Sequence, residues 1–84
     1  MVTLAQLEES LSAHLRRRLK SGGVSFLIRD EPPPSGLIAR YLRTERVIVV
    51  WAARLAELPL PLLREALLRE VGQALNRSGN GNAR

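Results

Sequence analysis

The run Val47-Ile48-Val49-Val50-Trp51 constrains this chain more than any other stretch. Five consecutive β-branched or aromatic residues read as a strand, and side chains alternate between the two faces of a strand. Both faces are apolar here, so this strand must be covered above and below. It belongs at the centre of its sheet, where neighbours and a packed layer can hide it. A chain of 84 residues can build one such core and no more. With 45% hydrophobic residues, it has the material for one.

The rest of the chain supplies the surroundings. Thr3-Leu4-Ala5-Gln6 has the form of a capping box, with Val2 and Leu7 placed as its hydrophobic staple. Leu4, Leu7, Leu11, Leu15 and Leu19 mark one face of a single helix that ends at Gly22-Gly23. Val24, Phe26 and Ile28 alternate with Ser25, Leu27 and Arg29, which predicts a first strand. Asp30 to Gly36 holds three prolines and cannot extend that strand, so it reads as a stiff spacer. Leu37 to Leu42 and Val47 to Trp51 flank Arg43-Thr44-Glu45-Arg46 as the arms of a hairpin. Ala52 to Leu58 suits a short helical turn, and a last helix is expected from Pro61 to about Asn76. The expected fold is α/β (α+β) in the order α-β-β-β-α, a three-stranded sheet against two helices. One domain spans 1–77, and 78–84 forms a polar, glycine-rich tail.

The last helix carries two oddities. Leu63, Leu67, Val71, Ala74 and Leu75 form its apolar stripe, and Glu70 falls among them. An unpaired carboxylate is costly to bury, so a plain amphipathic helix would not place one there. Gly72 is the second, because a glycine inside a helix costs about 1 kcal/mol relative to alanine. Both lie in Arg69-Glu70-Val71-Gly72-Gln73-Ala74-Leu75. With histidine at 69 and 73, that stretch would be the zinc helix of many metallopeptidases. Histidines at i and i+4 put two ligands on one helix face, and the Glu between them activates the metal-bound water.

On this stretch the chain resembles the minimal zincin-like metallopeptidases, small bacterial proteins whose signature helix reads H-E-x-G-H. Asp30-Glu31-Pro32-Pro33-Pro34 is similar to the acidic, proline-rich segment that follows the family's first strand. Gly36 to Leu42 and Val47 to Trp51 resemble its next two strands, so the likeness spans roughly residues 5 to 76. It implies a zincin-like fold in which Glu70 matches the catalytic glutamate, vestigial here, and Arg69 and Gln73 stand in the cleft where the ligands belong. An arginine stays protonated and has no lone pair to offer a cation, and Gln73 offers only a neutral carbonyl oxygen. The eleven residues after Gln73 contain no His, Asp or Glu to serve as a third ligand. No metal and no cofactor are expected. A second reading of Glu70 stays open: a structural carboxylate bonded to a backbone group or to an arginine such as Arg40 or Arg54, with Arg69 paired to Glu65 one turn away.

Charge raises a different candidate. Thirteen basic against eight acidic residues leave +5, with Arg16, Arg17, Arg18 and Lys20 as the densest cluster. These complement the dipole at a helix end, or they contact phosphates. The order α-β-β-β-α is also that of double-stranded-RNA-binding domains. Those place lysines at the start of the last helix, where this chain has apolar Pro59 to Leu63, so the RNA analogy is the weaker one. His14, the sole histidine, is expected to pack at the edge of the first helix's stripe. Twelve of the thirteen basic residues are arginine, a composition in keeping with a bacterial thermophile. With no cysteine and no apolar run long enough to span a bilayer, the expectation is a cytoplasmic protein. Its function would be binding or interaction rather than catalysis, and an active enzyme with an unrecognised site is the remaining alternative. A protein partner or self-association through Leu58 to Leu63 stays open, while nucleic acid and membrane are disfavoured.

Overall fold

The computed structural model describes the backbone of residues 1–82 and the side chains of residues 1–75. Its N-terminus carries the expected cap. The Gln6 N–H donates to Thr3 Oγ1 at 3.1 Å, and the Thr3 N–H donates to Gln6 Oε1 at 2.9 Å. The helix it starts, α1 (Leu4–Glu9), is only six residues long. Where the leucine spacing predicts one continuous helix, a second one, α2 (Ala13–Ser21), begins after a break. Two serines account for the break. The Ser10 hydroxyl donates back to the Leu7 carbonyl at 2.6 Å, and Ser12 caps α2 by accepting from the Leu15 N–H at 3.1 Å. Serines that bond nearby backbone compete with the helical ladder in this way. Leu7, Leu11 and Leu19 are still buried, so the apolar pattern survives the kink.

Three strands follow: β1 (Ser25–Arg29), β2 (Ala39–Leu42) and β3 (Val47–Trp51). Their order in the sheet is β1-β3-β2, so the apolar run is central, as its two-faced pattern requires. Ile48, Val49, Val50 and Trp51 are all buried. β1 lies parallel to β3, and β2 lies antiparallel to it as the other arm of the hairpin. The proline segment therefore crosses from one sheet edge to the other, past the end of β3. It is tied down where the Leu37 carbonyl accepts from Arg54 Nε at 2.8 Å. The tight turn at the hairpin puts Arg46 at φ 58, the left-handed region that bulky residues seldom occupy.

The short helix α3 (Ala52–Glu57) follows β3 directly, and α4 (Leu60–Asn82) closes the chain. α4 starts one residue before Pro61, and its span passes the end near Asn76 that the sequence suggests. The expected tail over 78–84 lies outside the residues whose side chains are described. Leu63, Leu67, Val71 and Ala74 of α4 pack with Ala39 and Tyr41 of β2, Ile48 and Val50 of β3, and Leu55 of α3. The leucines of α1 and α2 close the same core. Architecture is thus α+β, with a three-stranded mixed sheet and a long C-terminal helix packed on it. Of the Leu58 to Leu63 stretch, Leu58 and Leu60 pack against the core, and only Leu62 is a large exposed apolar residue. No helix among the described residues is long and apolar enough to cross a membrane.

Candidate functional site

Glu70 lies on the core-facing side of α4, one turn from Leu67, which is fully buried, and beside Val71. Half-buried itself, it meets the edge strand β2. Its Oε1 accepts a hydrogen bond from the Tyr41 backbone N–H at 2.8 Å. The geometry follows from the hairpin. In an antiparallel pair, successive residues direct their backbone groups alternately toward the partner strand and away from it. The Leu42 carbonyl is turned inward, where it accepts from the Arg46 N–H at 2.8 Å. Tyr41, one residue earlier, directs its N–H to the open side of an edge strand. A carboxylate one helix layer below fills that vacancy. A glutamate in an apolar stripe thereby gains a partner, and an unpaired strand edge gains an acceptor. Of the partners the sequence offers, a backbone group holds Glu70. Arg54 bonds the Leu37 carbonyl and Glu57 instead, and Arg40 is exposed.

The other two motif positions face solvent. The Arg69 side chain is 74% exposed and stands 3.8 Å from Glu65 Oε1. An ion pair that open to water contributes little. Gln73 is also exposed, on the same flank of the helix. At Gly72 a Cβ would meet nothing within 4 Å, so close packing is not what the missing side chain serves. Zinc does not fit this donor set. A guanidinium cannot ligate, Gln73 is a weak neutral donor, and Glu70 alone would be one ligand of the three a catalytic zinc needs. Among the described residues no three His, Cys, Asp or Glu side chains come together as a metal site would need.

The basic cluster of α2 is divided by the fold. Arg17 and Arg18 border one cavity together with His14 and Arg46. Arg16 and Lys20 border another, beside Glu8 and Phe26. His14 is exposed rather than packed at the edge of an apolar stripe. On α2 it is Leu15 and Leu19 that turn to the core, and His14 is left on the solvent side. Arg46 was not among the sequence candidates, because nothing in the composition of a turn marks which of its arginines reaches back to the end of α2.

Comparison with protein families, curated proteins and solved structures finds no match to this chain.

Proposed function

We propose that this protein is a non-catalytic, zincin-like protein that acts by binding, with the glutamate of its helix motif converted to a structural role. One observation carries the reading: the Glu70 carboxylate is engaged by the Tyr41 N–H, in the stretch whose spacing resembles a zinc helix. A general base needs its lone pair free for water, and in zincins that water is delivered by the metal. Here one carboxylate oxygen is held by backbone, and the flanking positions carry Arg69 and Gln73 in place of ligands, so no metal delivers water to the other oxygen. Glu70 then fastens α4 to the edge of the sheet, and the surface around it is left for interaction rather than turnover.

The double variant Arg69→His with Gln73→His tests this. It restores the spacing of the motif but not a third ligand, and catalytic zinc sites take three protein ligands. Isothermal titration with zinc should show weak binding at most, and a fluorogenic peptide library should stay uncleaved. Tight, stoichiometric zinc binding with peptide cleavage in the double variant would mean that a third ligand and a working cleft are present, and the non-catalytic reading would fall.

A further inference from the structure

His14, Arg17, Arg18 and Ser21 follow one another at the i, i+3, i+4, i+7 spacing and so share one face of α2. That face is exposed, but its surroundings are shaped. It forms one wall of a cavity of about 560 Å³, within the size range of small-molecule sites. Arg46 borders this open cavity from the β2–β3 turn, and Val24, Ala74 and Leu75 give it an apolar floor. Three guanidinium groups and an imidazole thus converge from two elements, and no carboxylate lines the cavity among the described residues. None of these arginines takes part in an ion pair among the described residues.

Arg46 is held for this position. Its N–H donates to the Leu42 carbonyl, its carbonyl accepts from the Ser25 N–H at 3.1 Å, and its Nη1 donates to the Gly22 carbonyl at 2.5 Å. Gly23 beside it, at φ 74, brings no Cβ against the guanidinium. An arginine kept at φ 58 by three hydrogen bonds is a preorganised donor, with further N–H groups left for a ligand. Complementing the dipole at the end of α2 explains Arg18 and Lys20. Arg46 joins them at this helix end by bonding the carbonyl of the C-cap residue Gly22, and that bond uses only one of its five N–H groups.

From this convergence we propose that the cavity between α2, the β2–β3 turn and α4 binds a small, multiply charged phosphate anion. Guanidinium forks match phosphate oxygens two at a time, and three of them call for more than one negative charge. The volume exceeds what a single phosphate fills, and the aliphatic floor suits an uncharged portion of the same ligand. This site is independent of the zincin-like reading and lies on different residues.

Inorganic tripolyphosphate, titrated calorimetrically into the full chain at low ionic strength, is the probe. Arg17→Ala with Arg18→Ala should weaken binding at least about tenfold. Arg16→Ala with Lys20→Ala removes the same charge from the other flank of α2 and should change it by less than about twofold. All four side chains are exposed, so both variants keep the fold, which circular dichroism checks. Duplex RNA should compete poorly. Absence of tripolyphosphate binding, equal losses in the two double variants, or RNA binding tighter than tripolyphosphate and lost equally in both would overturn the proposal.

Discussion

Glu70→Ala is expected to lower the unfolding free energy by about 2 kcal/mol, and Glu70→Gln by roughly half of that. Hydrogen bonds that involve a charged group contribute about 1.5–3 kcal/mol, and the bond from the Tyr41 N–H to Glu70 Oε1 is short at 2.8 Å. Alanine removes the acceptor and leaves the edge of β2 unpaired. Glutamine keeps an oxygen in the same place and loses only the charge. The half-buried setting holds the loss below the upper end of that range, since water can reach part of what alanine uncovers. Urea unfolding of the three proteins reads the series through its midpoints. A glutamate retained for catalysis behaves oppositely, because residues kept for function are commonly neutral or costly to stability. An alanine variant as stable as the parent would remove Glu70 from the architecture.

Leu67→Ala should cost more, about 3 kcal/mol, within the 2–5 kcal/mol typical of burying a cavity where a leucine was. Leu67 is 0% exposed and lies in the middle of the α4 stripe, where α4 packs on β2 and β3. The close-packed neighbours Leu63, Val71, Tyr41 and Ile48 belong to three different elements and cannot all move inward to fill the gap. For a domain of this size the loss corresponds to a melting temperature lower by about 15 °C. Since small domains are stable by only about 5–15 kcal/mol in all, a large share of the fold's margin goes with one side chain. Thermal unfolding followed by circular dichroism measures it. A shift of a degree or two would mean that α4 does not pack on the sheet through this stripe.

How much of this the sequence makes legible differs by element. The β3 strand and its central place follow from one local fact, that Val47 to Trp51 is apolar on both faces. The hairpin, the Thr3 cap and the turn at Ala52 are legible for the same reason: each is decided by residues a few positions apart. The break between α1 and α2 is local too, but it turns on Ser10 and Ser12 preferring backbone bonds to the ladder, a contest that leucine periodicity hides. That Glu70 is anomalous can be read from the stripe. Its partner is chosen by a strand edge 29 residues away, and only the sheet order determines which N–H is left free. The anion cavity is the least legible feature, because it joins the helical spacing of residues 14 to 21 with an arginine whose direction depends on a left-handed backbone at position 46.

Metal analysis of the unmodified protein after exhaustive dialysis bears most directly on the claim that this helix keeps the form of a zinc site without its chemistry. Arg69 cannot ligate a cation, and its exposed guanidinium turns to Glu65 and solvent. A divalent ion would find no set of three ligands on this helix. The account predicts zinc far below one equivalent. Near-stoichiometric zinc, lost when Glu70 or His14 is replaced, would contradict it.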